Sequence, residues 1–178
     1  MAILNLPNTL TITRIVLIPL FVTSVVYLRY DYALYLFVIA ALTDMFDGLI
    51  ARLKNQKTLL GNFLDPLADK FLLITSFVLF SLYGLIPTWL TITIISRDII
   101  VITGWVVLYL LTHTAKVEPT MMGKLAITFQ LLLICYILLD INLPAVPDIH
   151  GYLIWLTAVF TTTSGLHYIY RGLKLANA

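Results

Sequence analysis

TDMFDGLIARLKNQKTLLGNFLDPLADK, residues 43–70, sits between two long apolar runs and holds Asp44, Asp47, Asp65 and Asp69, four of the nine acidic residues in the chain. On a helix, positions three or four apart share a face within about one turn. Asp44 and Asp47 are spaced i, i+3 and Asp65 and Asp69 i, i+4, so each pair would present its carboxylates on one helical face. One pair closes an apolar run and the other opens the next, so the two faces can meet across a hairpin closed by residues 52–58. The stretch therefore reads as helix, short turn, helix, with negative charge gathered at one end.

Outward from this stretch the chain is apolar. Of its 178 residues 61% are hydrophobic and only 11% charged, with a mean hydropathy of +0.99, against roughly 45 to 50% apolar residues in an ordinary soluble domain. An all-α integral membrane protein is the expected class. Runs near the ~20 residues needed to cross a bilayer fall at 12–27, 32–50, 71–85, 90–111, 125–143 and 152–169, which predicts six transmembrane helices. The third run reaches full span only if its helix starts near Leu59, and that start carries Asp65 and Asp69 inside the helix. The opening MAILNLPNTLTITR lacks a basic n-region and a small-residue cleavage site, so the first apolar run is expected to persist as a helix. Pro7, Asn8 and Thr9 mark a short N-terminal interfacial segment leading into it. With no repeat, low-complexity tract or dividing linker, residues 1–178 are expected to form a single membrane domain.

The net charge of +2 says little about partners, and a nucleic acid is not expected among them. The distribution of charge says more. With six spans, Arg52, Lys54 and Lys57, then Lys116 and Lys124, then Arg171 and Lys174 fall on one side. The other side has Arg29 beside Asp31, an uncharged 84–87 turn, and 140–148 without Lys or Arg. Positive loops face the cytoplasm, so the acidic stretch and both termini are expected at the cytoplasmic face of the inner membrane. Cys135 is the only cysteine and offers neither an intrachain disulfide nor a thiolate cluster.

Four carboxylates held together repel, and any that are buried also lose hydration, so without compensation some would have to be protonated. A divalent cation resolves the conflict. Oxygen ligands favour magnesium, calcium or manganese over zinc, and the stretch has no His or Cys to argue for a softer metal. Two such ions about 3.5 to 4 Å apart form a familiar clamp for phosphoryl chemistry. Gly48 and Ala51 lie beside the carboxylate face and leave room for a ligand, Arg52 suits a phosphate, and Gly61 opens the third span where a helix N-terminus can face anionic oxygens. Acid, glycine and arginine in this order suggest a metal-bound pyrophosphate.

Asp44, Asp47, Gly48, Ala51 and Arg52, then eight residues, then Gly61, Asp65 and Asp69 match without a gap the signature of the CDP-alcohol phosphatidyltransferases. The chain resembles that family over essentially its whole length. The resemblance implies a site for two ions, Mg2+ or Mn2+, held by Asp44, Asp47, Asp65 and Asp69, with Asp69 also the general base. It implies that Gly48, Ala51, Arg52 and Gly61 line the CDP pocket and that the protein is a homodimer. The implied reaction moves the phosphatidyl group of CDP-diacylglycerol, a membrane lipid, to the hydroxyl of a glycerol-type acceptor and releases CMP.

NLPNTLTITRIVLIPLF at the N-terminus resembles the glycerol branch, the phosphatidylglycerophosphate synthases and the related cardiolipin synthases. Enzymes using glycerol-3-phosphate usually carry Arg-Glu in the fourth span and a further Arg eight positions on; this chain has Arg97, Asp98 and then Trp105. IISRD at 94–98, Pro119 with Thr120, and TAVFTTTSG at 157–165 look closer to the cardiolipin synthases, whose acceptor is phosphatidylglycerol. Glycerol-3-phosphate is the leading expectation and phosphatidylglycerol the alternative. By resemblance Arg97, with Lys124 at the start of the fifth span, lines the acceptor pocket.

Blander readings stand beside these. Any single Asp can cap a helix or pair with an Arg; four in this order are hard to explain that way, because intramembrane carboxylates are expensive. Lys54 and Lys57 fit a topology-setting loop, Arg97 and Asp98 can form a mutual ion pair, and Arg14 can snorkel to the interface. His113, His150 and His167 have no partner spacing, and Tyr27, Tyr30, Tyr32, Trp89, Tyr152 and Trp155 read as interfacial anchors. The competing class is an ion or proton transporter with an acidic site. It would favour midplane carboxylates and internal repeats, whereas here the acids lie at one end of their spans beside basic residues.

Overall fold

A computed structural model describes residues 6–54, 59–112, 120–143 and 145–176, with side chains for 12–43, 70–107, 110, 120–143 and 145–174. Those residues form six helices, α1 (Leu6–Val26), α2 (Tyr30–Lys54), α3 (Leu59–Leu82), α4 (Thr88–Thr112), α5 (Met121–Asn142) and α6 (His150–Ala176). α3 starts at Leu59, where the sequence places the start of the third helix, so positions 65 and 69 lie within helix. α1 runs unbroken from Leu6 with Pro7 in its first turn, where a missing N–H leaves no bond unmade; the expected interfacial segment is thus continuous with the helix from Leu6 onward. Two helices among the described residues, Thr88–Val107 and Met121–Asn142, are long and apolar enough to cross a bilayer, while Ile12–Val26, Tyr30–Thr43 and Lys70–Leu82 are shorter apolar stretches.

Two compact units are distinguished. The first comprises Met1–Leu79 and Ile137–Val146. In it α1 packs along α2 through Phe21 and Val25 against the face carrying Ala33, Phe37 and Ala40, all buried, with the Phe21 and Phe37 rings 6.1 Å apart. Asn142, at the end of α5, donates to the Tyr30 carbonyl at 3.0 Å and so ties that end to the start of α2. Arg14, which could equally have snorkelled to the interface, is fully buried in α1. The second unit comprises Phe80–Tyr136 and Pro147–Ala178, in which α4 packs along α6. Trp89 meets Trp155 at 5.7 Å, and Phe129 stacks on Phe160 at 4.5 Å.

The helix ends follow from backbone chemistry. After α1 the Arg29 N–H reaches the Ser24 carbonyl at 2.8 Å and the Leu28 N–H the Val25 carbonyl at 3.0 Å, a Schellman closure with Leu28 left-handed at φ 59°. Arg29 then bonds Asp31 at 3.3 Å through two nitrogens and holds its carboxyl below the usual range. After α3 the same closure recurs: Leu85 bonds the Phe80 carbonyl at 2.8 Å and Gly84 that of Ser81 at 3.1 Å, with Gly84 at φ 71°. This stops α3 at Leu82, three residues short of the apolar run. Glycine takes that conformation freely, whereas a side chain there costs about 1 kcal/mol. Gly84→Ala is therefore expected to destabilise by ~1 kcal/mol, and Leu28→Gly to stabilise by ~0.5 kcal/mol, read as shifts of opposite sign in thermal unfolding in detergent. Equal effects of the two changes would remove the backbone explanation.

Candidate active site

The acidic residues lie on two regular helices. Asp44, Asp47, Gly48, Ala51 and Arg52 fall on α2, and Gly61, Asp65 and Asp69 on α3, with Gly61 in the first turn of that helix. Their side chains lie outside the described residues. Their depths along the helices are set by the backbone. Asp47 is seven residues from the last residue of α2 and Asp65 six from the first of α3, while Asp44 and Asp69 are each ten from those same ends. At 1.5 Å per residue these are roughly 10 Å and roughly 15 Å from the helix ends. Residues 43–70 carry four carboxylates and neither His nor Cys, a chemistry that would suit a hard divalent cation.

In the second unit a buried polar cluster gathers around Arg97. Its Nη1 bonds the Asp98 Oδ1 at 2.7 Å and its Nη2 donates to the Ser164 Oγ of α6 at 2.8 Å. Arg97, Asp98 and Ser164 are all buried, and the Arg97 guanidinium carbon lies 5.6 Å from the centre of the Tyr168 ring. The Nε of Arg97 is buried with no hydrogen-bond partner among the described residues. The ion-pair reading of Arg97 is thus the one the geometry shows: the guanidinium is paired with Asp98, and its Nε donor is without a partner among the described residues.

The first turn of α5 abuts this cluster. Thr120 is its N-cap, with Oγ1 accepting the Gly123 N–H at 3.0 Å, while the Thr120 N–H donates to the Tyr168 hydroxyl at 3.3 Å. A Cβ on Gly123 would lie 3.1 Å from Thr120 Oγ1 and 3.2 Å from both Arg97 Nη2 and the Tyr168 hydroxyl. Glycine here makes room for a close approach. Lys124 is next in sequence but exposed, and among the described residues the contacts around Arg97 do not include its ammonium. Further along, Gln130 donates to Thr161 Oγ1 at 3.1 Å and Thr157 to the Phe129 carbonyl at 3.3 Å.

Sequence reasoning named Arg97 and Lys124 and missed Thr120, Gly123, Ser164 and Tyr168 as partners. A signal was present: Thr157, Thr161, Ser164 and Tyr168 recur at spacings of four, three and four, a polar stripe on one face of an apolar helix. Of the histidines, His150 is half-buried at the start of α6, His167 is exposed, and His113 lies outside the described residues.

The model of the family described as CDP-alcohol phosphatidyltransferase matches residues 4–163, and the chain belongs to that family. It is 33% identical over 185 aligned positions to a human protein named cardiolipin synthase (CMP-forming), covering 94% of this chain and 61% of that one. The chain therefore spans about three fifths of that relative. It is 34% identical to the Bacillus subtilis CDP-diacylglycerol--glycerol-3-phosphate 3-phosphatidyltransferase, with 97% of this chain and 99% of that protein aligned. The enzyme of the same name from Salmonella typhimurium is 36% identical, with 93% of each covered.

The Arg97 pair yields a stability test. Asp98→Asn removes the countercharge of a buried guanidinium and is expected to cost about 3 kcal/mol. Adding Arg97→Met to that variant should recover part of the loss in thermal unfolding, because no uncompensated charge remains. An Asp98→Asn protein as stable as the parent would show that the pair carries little of the unit's stability.

Proposed function

We propose that the chain transfers the phosphatidyl group of CDP-diacylglycerol to the hydroxyl of a glycerol-type acceptor and releases CMP, with glycerol-3-phosphate as the acceptor and phosphatidylglycerophosphate as product. The observation that carries this reading is the family signature lying on uninterrupted helices, α2 to Lys54 and α3 from Leu59, with its acids at matching depths. Only residues 55–58 separate those helices, and so short a connection favours an antiparallel pair. Asp44 would then stand level with Asp69, and Asp47 with Asp65. The activities named for the Bacillus and Salmonella relatives support the acceptor.

Asp44, Asp47, Asp65 and Asp69 would hold the divalent ions, Mg2+ or Mn2+, two being what four carboxylates balance. Bound there, the ions would supply Lewis-acid polarisation of the pyrophosphate oxygens. The chain's own groups do the rest. Gly48, Ala51 and Gly61 leave room for the nucleotide and Arg52 binds its phosphate oxygens. Asp69 takes the proton from the acceptor hydroxyl, whose oxygen bonds to the lipid-linked phosphorus as the bond to CMP breaks. Arg97 and Lys124 bind the acceptor.

The six helices, each of 21 residues or more, are long enough to cross a ~30 Å hydrocarbon core. We read all six as transmembrane, in one membrane domain with the acidic site and both termini cytoplasmic, assembled as a homodimer. Phosphatidylglycerol is the second reading of the acceptor. It is favoured by the Asp98 carboxylate, which already neutralises Arg97 at 2.7 Å where a soluble phosphomonoester dianion would want free positive charge.

Purified protein given radiolabelled CDP-diacylglycerol, magnesium and each acceptor in turn tests the proposal. CMP release dependent on glycerol-3-phosphate is expected; release with phosphatidylglycerol alone selects the second reading, and ion flux in liposomes without release selects a transporter. Asp69→Asn should lower kcat at least ~100-fold while keeping donor binding. Asp44→Asn or Asp65→Asn should raise the magnesium requirement or abolish turnover, and an unchanged magnesium titration would count against their being ligands.

A further inference from the structure

Three elements converge on the Arg97 guanidinium. α4 supplies Asp98 at 2.7 Å, α6 supplies Ser164 at 2.8 Å and the Tyr168 ring at 5.6 Å, and the first turn of α5 presents the bare backbone of Gly123. Of the five N–H donors on a guanidinium, the buried one on Nε has no acceptor among the described residues. A buried donor left open costs free energy, so a ligand oxygen that fills it is bound with that cost relieved. Its value to a ligand depends on the guanidinium being held in one pose.

Tyr168 is the residue that does the holding from two directions. Its ring lies against the guanidinium, and its hydroxyl accepts the Thr120 N–H at 3.3 Å, a backbone donor at the N-cap of α5. The same hydroxyl and Arg97 Nη2 stand equally close, 3.2 Å, to the position a Gly123 side chain would take. One side chain of α6 therefore registers α4's arginine against the turn of α5 that carries Lys124.

We propose that Tyr168 is a positioning residue for the acceptor, holding Arg97 and the first turn of α5 in register, and that Gly123 is kept free of a side chain so that this register can form. The proposal rests on the reading of Arg97 as an acceptor contact. Tyr168 touches no reacting atom in it, so its loss weakens acceptor binding and leaves the chemical step alone.

The test is steady-state kinetics on the full chain in detergent micelles, with the acceptor that the assay above identifies, for Tyr168→Phe, Gly123→Ala, the double variant and Arg97→Lys. Tyr168→Phe keeps the ring and removes one hydrogen-bond partner. It should raise the acceptor KM roughly five- to tenfold, with kcat and the CDP-diacylglycerol KM within about twofold. Gly123→Ala should do the same, and the double variant should fall short of the product of the two effects, since both act at one contact. Unchanged acceptor KM in Tyr168→Phe, an equal rise in both KM values, or a fall in kcat alone overturns the proposal. If Tyr168→Phe gives no folded protein, Gly123→Ala decides by the same split; failure of both to fold assigns the pair a structural role and also overturns it. Arg97→Lys with an unaltered acceptor KM removes the acceptor reading itself, a result distinct from any of these.

Discussion

An ionised or hydrogen-bonding group in an apolar chain must find its compensation within the protein, because lipid supplies none. The polar chemistry of this chain is arranged by that requirement. Arg97 meets Asp98 beside it in α4 and Ser164 on α6. Thr23, Ser76 and Thr163 turn their hydroxyls back to carbonyls four residues earlier in their own helices, a closure that needs no neighbour. The side chains of the four acids on α2 and α3 lie outside the described residues, and a divalent cation is the compensation proposed for them.

Helix ends convert this requirement into placement. α3 stops where Gly84 can adopt the left-handed conformation and begins early enough to take Asp65 and Asp69 into the helix. α2 ends at Lys54, so Asp44 stands ten residues from that end, as Asp69 does from the start of α3, and Asp47 and Asp65 differ by one residue. At α5 the cap does two things at once. Thr120 satisfies the Gly123 N–H, and its own N–H goes to Tyr168, so closing a helix also fixes the turn that borders Arg97.

Much of the architecture was legible from residue order. The apolar runs located all six helices, the length argument located the start of α3 at Leu59, and the spacing of the acids singled out α2 and α3. These are local properties: periodicity, turn chemistry and the number of residues needed to cross a bilayer each involve a few neighbours along the chain. The absence of His and Cys from residues 43–70 is likewise read from composition alone.

Tertiary structure decided what depends on residues far apart in the chain. Arg97 was named from its motif, but its partner Ser164 is 67 positions away, and no pattern around either residue predicts the bond. Arg14 reads as a flexible basic side chain near a helix start, yet packing buries it completely. Gly123 looks like a weak helix former until Arg97, Thr120 and Tyr168 are seen to occupy the space its side chain would need. Residue order determined which helices form and which charges they carry; folding determined which of those groups meet, because contact between helices is set by the packing of whole faces.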